Sequence, residues 1–123
     1  RGLVEIKRIG TALGARPETF SGLTGMGDLV LTCTGNMSRN RAVGIQIGQG
    51  KKLADIISEM KMVAEGVNTV KSANTLLKKL GIRAAVIEET YQVLHEGKPA
   101  LDALRDILMV ETYSEFSGVK GLQ

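Results

Sequence analysis

The chain has no tryptophan, two tyrosines, two phenylalanines and a single cysteine, Cys33. With aromatic residues at 3%, aliphatic side chains must fill the interior, and few rings are available to stack on nucleic-acid bases. One cysteine cannot form an internal disulfide, and no Cys/His metal spacing surrounds it. A reducing, cytoplasmic compartment is the natural setting, with Cys33 expected to be a small buried thiol and not a nucleophile. No run of about 18 apolar residues occurs, so no membrane-spanning helix is expected, and the amino end lacks the pattern of a secretory signal. The formal charge of +3 would suit an anionic ligand, yet Lys and Arg are dispersed among Asp and Glu, so charge alone selects no partner. Nowhere does polar/apolar alternation persist as a sheet would require, and there is no internal repeat or long linker.

What is present is aliphatic periodicity in a length suited to one domain. A chain of 123 residues can remove roughly 65–70% of its unfolded surface from water. Leu3, Ile6, Ile9 and Leu13 already follow helical spacing behind Arg1, with no capping residue ahead of them. The chain is therefore expected to begin inside a helix and to be a fragment. Residues 1–14 read as a helix with Glu5, Lys7 and Arg8 outside, closed by Gly14 and Pro17. A short helix is expected over 17–20, then a tight, packed passage through the glycines at 22, 25 and 27. Leu29, Val30 and Leu31 could be strand or buried helix, and the surroundings favour helix. Further helices are expected from Asn36 or Ser38 to Gly48 or Gly50, from 53 to 60, from 67 to 80 with Gly81 as the stop, and from 84 to 95. In this last one Val86, Ile87, Thr90, Tyr91 and Leu94 should face inward. The final helix follows Pro99 and carries Leu101, Leu104, Ile107 and Leu108. The expectation is an all-α, compact multi-helix domain over residues 1–109 and an aperiodic tail over 110–123.

Ser38-Arg39-Asn40 places a hydroxyl, a guanidinium and an amide side by side at a helix start. Free N–H groups, the positive end of the helix dipole and the guanidinium fork all favour a phosphate there. Taken alone, the simpler reading is that Ser38 caps the helix while Arg39 and Arg41 stay in solvent. Asp28 lies either at the edge of a cleft or at an ordinary helix cap, and its neighbours do not decide between them. Glu65 before Gly66 fits a favourable interaction with a helix dipole. His95, near a helix end, is read as structural and not as a general base.

The run Thr19-Phe20-Ser21-Gly22-Leu23-Thr24-Gly25-Met26-Gly27-Asp28-Leu29-Val30-Leu31-Thr32-Cys33-Thr34 supplies the wider context. With Ser38-Arg39-Asn40-Arg41, then Gly44, Gly48 and Gly50, it closely resembles the signature of bacterial NAD(P)-dependent glycerol-3-phosphate dehydrogenases. So do Val63-Ala64-Glu65-Gly66-Val67 and Glu88-Glu89-Thr90-Tyr91-Gln92-Val93-Leu94. The resemblance reaches to about residue 109. It implies the helical, substrate-binding C-terminal domain of a two-domain oxidoreductase, with a fold similar to the C-terminal domain of 6-phosphogluconate dehydrogenase. The N-terminal Rossmann domain is absent from this sequence, and the family's catalytic lysine would precede residue 1.

By that resemblance Asp28, Ser38, Arg39 and Asn40 contact glycerol 3-phosphate or dihydroxyacetone phosphate. Arg39, Val63 and Glu65 reach the NAD(P)H cofactor, and Asp28 supports catalysis by orienting the lysine. No metal is implied. The resemblance also implies a cytoplasmic enzyme feeding glycerophospholipid synthesis, partnered with its own Rossmann domain, and a fragment inactive by itself. Two other readings compete. A basic helical domain could grip nucleic-acid phosphates, though no basic stripe runs along a helix. The apolar stripes could also serve a structural homodimerisation unit.

Overall fold

A computed structural model describes residues 1–110 as seven α-helices, with no strand among the described residues. They are α1 (Gly2–Ala12), α2 (Asp28–Thr34), α3 (Arg39–Gly48), α4 (Leu53–Glu59), α5 (Gly66–Leu80), α6 (Ala85–His95) and α7 (Ala100–Met109). A 3₁₀ turn over Pro17–Ser21 and a π turn over Leu23–Gly27 lie between α1 and α2. The expected tail lies outside the described residues apart from Val110, which follows α7.

The longest helix, α5, shows most directly how pattern becomes structure. Val67, Val70, Asn74 and Leu77 recur at three- and four-residue intervals and are buried, forming one inward face. Lys78 and Lys79 occupy the last turn, where cations complement the exposed carbonyls. Gly81 then takes a left-handed conformation, φ 63°, and the N–H of Ile82 bonds back to the carbonyl of Leu77 at 3.1 Å, which closes the helix. Against this helix packs α6, followed in turn by α7, while α3 contacts both α4 and α7. The core joins Val43, Ile56, Ala64 and Val67, with Ile47, Leu53, Met60 and Leu94 packed around them. Between α6 and α7, the Lys98 ammonium is paired with both Glu89 and Asp106 at 2.5 Å. Asp106 first and Glu89 second hold its pKa above the usual 10.5.

Several sequence expectations need correction. Glu5 was expected to lie outside with Lys7 and Arg8, yet it is one of the most buried polar residues, at 7% exposure. One carboxylate oxygen accepts the N–H of Val86 at 2.8 Å and the other that of Ile87 at 3.2 Å. These donors belong to the first turn of α6, where no residue of that helix can satisfy them and where negative charge is favoured. Ala84, the residue before the helix, has no side-chain oxygen to do the same. Arg8 strengthens the tie by donating to the carbonyl of Arg83 at 2.8 Å. Helical spacing put Glu5 on the polar side, but the polar partner lies in another helix 81 residues away.

Cys33 is exposed, against the expectation of a buried thiol. The helix that bears it, α2, contacts the π turn before it and buries none of its own residues, so Val30 and Leu31 are also open. Thr90, expected to face inward, is exposed; its hydroxyl bonds to the carbonyl of Val86 within the helix at 2.6 Å. In α7 only Ala103 is buried, and Leu101, Leu104 and Leu108 are exposed. The passage through Gly22, Gly25 and Gly27 is tight as expected, but it is helical, a π turn running directly into α2. Its compactness has a steric basis. A Cβ on Gly10 would overlap the ring of Phe20, and one on Gly25 would overlap the Phe20 backbone, so Gly10 lets the 3₁₀ turn close on α1 and Gly25 lets the π turn close on the 3₁₀ turn.

Replacing Glu5 by alanine should lower folding stability by about 2–4 kcal/mol, since two charge-assisted bonds disappear and two N–H donors lose their partner. Urea unfolding followed by circular dichroism measures this, and an unchanged midpoint would show that the carboxylate contributes nothing to holding α1 on α6.

Candidate functional site

The Ser38-Arg39-Asn40 segment forms the helix start that its composition suggests. Ser38 has extended backbone, φ −73° and ψ 120°, and its Oγ accepts the N–H of Arg41 at 3.2 Å. The simpler reading of Ser38 as a cap is thus correct as far as it goes. That bond uses an oxygen lone pair and leaves the hydroxyl hydrogen for a further acceptor. Asn36, the other cap candidate, instead accepts from the Arg41 guanidinium at 3.2 Å. Arg39 is the first residue of α3, exposed, with no side-chain hydrogen bond or ion pair among the described residues.

Asn40 brings a second helix start to the same place. Its Oδ1 accepts the N–H of Gly66, the first residue of α5, at 3.0 Å. Glu65 stands immediately before Gly66, in a helical conformation and without a side-chain cap of its own, and is exposed. A Cβ on Gly66 would lie 2.8 Å from Asn40 Cγ, so the close approach depends on glycine at this position. The positive ends of α3, with 10 residues, and α5, with 15, therefore meet beside Arg39. A cavity of about 350 Å³ adjoins the junction and is lined by Asn40, Gly66, Gly44 and residues of α6 and α7.

The other sequence candidates take no part in this contact. Val63 is 64% exposed, two residues ahead of Glu65, and borders a separate cavity with Met60 and Ala64. Asp28 is exposed at the first residue of α2, but the π turn runs straight into that helix and already bonds the Asp28 N–H, so this is not a free helix start; no bond from its side chain joins it to Ser38, Arg39 or Asn40. The ring of His95 contacts the carbonyl of Val67 at 2.7 Å, which fits its structural reading. No group of three or more His, Cys, Asp or Glu suited to a metal ion occurs among the described residues, and none of their helices is long and apolar enough to cross a membrane. Sequence reasoning missed the Asn40–Gly66 contact, because 26 residues separate the partners and neither motif signals the other.

Residues 1–105 match the model of the family described as NAD-dependent glycerol-3-phosphate dehydrogenase C-terminus. The chain belongs to this family. It is 59% identical over 108 residues to the glycerol-3-phosphate dehydrogenase [NAD(P)+] of Geobacter sp. (strain M21), covering 88% of this chain and 32% of that protein. To the protein of the same name from Geobacter sulfurreducens it is 55% identical over 115 residues, 94% of this chain and 34% of the relative. A 2.1 Å crystal structure of glycerol-3-phosphate dehydrogenase from Coxiella burnetii shares 33% identity and superposes with a TM-score of 0.84, over 87% of this chain and 33% of that one. The fold of this chain is thus shared with part of a solved structure. The chain spans about a third of the length of the curated relatives it matches.

Ser38→Ala should destabilise the start of α3 by about 1 kcal/mol, the usual worth of a serine cap. Thermal unfolding checks this, and Ser38→Asp, which restores an acceptor, should recover most of the loss.

Proposed function

We propose that this chain is the substrate-binding part of an NAD(P)-dependent glycerol-3-phosphate dehydrogenase, closing a cleft against a Rossmann domain. The observation that carries the reading is the meeting of the α3 and α5 N-termini beside an arginine with no protein partner among the described residues. Such an arrangement suits a phosphate ester, since both helix dipoles favour negative charge and a guanidinium can donate two parallel bonds to its oxygens. The family membership and the names of the relatives support the same chemistry.

In this reading Arg39 holds the phosphate of glycerol 3-phosphate or dihydroxyacetone phosphate, and the Ser38 hydroxyl and Asn40 amide donate to the same ligand. Asp28 lies toward the reacting end and orients the catalytic lysine, which belongs to the part of the enzyme that precedes this chain; Asp28 is not itself the base. Arg39, Val63 and Glu65 face the dinucleotide. The residues fit that group: Arg39 offers a cation to its phosphates and Glu65 an acceptor to its hydroxyl and amide hydrogens, with both side chains exposed on adjoining helix starts. When bound, the nicotinamide supplies or accepts the hydride exchanged with the central carbon of the substrate. The protein's task here is to hold that carbon at a fixed distance and angle. The enzyme would work in the cytoplasm and feed glycerophospholipid synthesis.

In a full-length dehydrogenase carrying this chain, Arg39→Lys should raise the KM for dihydroxyacetone phosphate roughly tenfold, because an ammonium cannot reproduce the two-pronged bond. Steady-state kinetics decide it, and an unchanged KM would remove Arg39 from the phosphate. The purified 123-residue chain should fold yet turn over no substrate with NADH or NADPH. Measurable turnover, persisting after repeated purification, would contradict a divided active site.

A further inference from the structure

The bond from Gly66 to Asn40 links the two segments that the proposed function assigns to different ligands. On one side stand Ser38 and Arg39, assigned to the phosphorylated substrate; on the other stand Val63 and Glu65, assigned to the dinucleotide. Besides this bond, the second segment is held by Ala64, which packs in the core with Val43 of α3, and by its continuity with Val67. Met62 and Val63 are 63% and 64% exposed, and the N–H groups of Val67, Asn68 and Thr69 bond back only into 64–65 itself. Ala64, at 5% exposure, is its one buried anchor. The Gly66 N–H lies at a helix start, where α5 cannot satisfy it, and its acceptor comes from α3. The orientation of the amide follows from this partner: turned the other way, the Asn40 NH₂ would face another donor. With Oδ1 on Gly66, Nδ2 is directed elsewhere and remains available to a ligand.

Sterics tie the pair together independently of the bond. A Cβ at position 66 would lie 2.8 Å from Asn40 Cγ and Oδ1 and 2.9 Å from Nδ2, so any larger residue must displace the amide. Asparagine at 40 and glycine at 66 thus form one unit. We propose that Asn40 is a positioning residue, setting the Val63–Glu65 segment against Arg39 so that cofactor and substrate are held in register. This role rests on the proposed function but adds to it, because it acts on the cofactor through Glu65 and Val63 and not by touching the cofactor.

Four variants of a full-length dehydrogenase carrying this chain test the idea: Asn40→Ala, Asn40→Asp, Gly66→Ala, and Asn40→Ala with Gly66→Ala. The readouts are KM for the nicotinamide cofactor, KM for dihydroxyacetone phosphate, kcat and thermal unfolding. Gly66→Ala, which keeps the asparagine but displaces its amide, should raise the cofactor KM about three- to tenfold, the effect of one neutral hydrogen bond. Asn40→Ala should do the same, and the double variant should be no worse than either alone, because both changes break one contact. Asn40→Asp retains an acceptor for the Gly66 N–H but adds a charge beside Arg39, which serves both anionic ligands, so both KM values rise through repulsion that salt screens; at high salt its cofactor KM should stay within about twofold of the parent at the same salt, whereas that of Asn40→Ala stays raised. A cofactor KM unmoved by Gly66→Ala, additive effects in the double variant, or Asn40→Asp matching Asn40→Ala in cofactor KM at high salt would each overturn the proposal. Should Gly66→Ala fail to fold, the contrast between Asp and Ala at position 40 still decides. If Arg39→Lys behaves as expected while these variants do not, the positioning role alone is lost.

Discussion

Every helix begins with backbone N–H groups that the helix itself cannot satisfy, and much of this fold depends on where those donors find acceptors. Three helices solve the problem differently. At α3 the acceptor is local, the hydroxyl of Ser38. At α5 it comes from α3, through Asn40, and at α6 it comes from α1, through both oxygens of Glu5. The two remote solutions replace ordinary capping residues, since neither Glu65 nor Ala84 caps its own helix. Each is also a tertiary tie, one between α3 and α5 and the other between α1 and α6.

The same constraint joins structure to function. A helix start that needs an acceptor from the protein is also a place that attracts anions from solution. At the α3–α5 junction two donors, the N–H groups of Arg41 and Gly66, are used internally, while the Arg39 side chain remains exposed. Structural capping therefore leaves the same short segment open to the ligand contacts proposed for it. The choice posed for Ser38, between cap and ligand contact, is not a true alternative, because a hydroxyl can accept with its lone pairs and donate with its hydrogen.

Apolar surface is distributed unevenly. The core centred on Val43, Ile56, Ala64 and Val67 is closed, whereas α2 buries none of its residues and α7 buries only Ala103. Leu31, Leu101 and Leu108 are each more than half exposed. Hydrophobic spacing identifies which residues share a helix face, but exposure depends on whether another element covers that face. Cys33 shows the consequence: an apolar neighbourhood in sequence became an open helix in space.

The sequence by itself determined the helical class, the approximate extent of α1 and α3–α7, the Gly81 stop and the two cap candidates, Asn36 and Ser38, for α3. These depend on residues within a few positions of one another, where dihedral preference, periodicity and local hydrogen bonding decide the outcome. Its ordered motifs also pointed to the family whose model residues 1–105 match. Only the tertiary structure decided that Glu5 is buried, that Thr90 and Cys33 are exposed, and that Asn40 meets Gly66. Those facts depend on which helix lies beside which, across separations of 26 to 82 residues, and no local preference encodes the position of a partner so far along the chain.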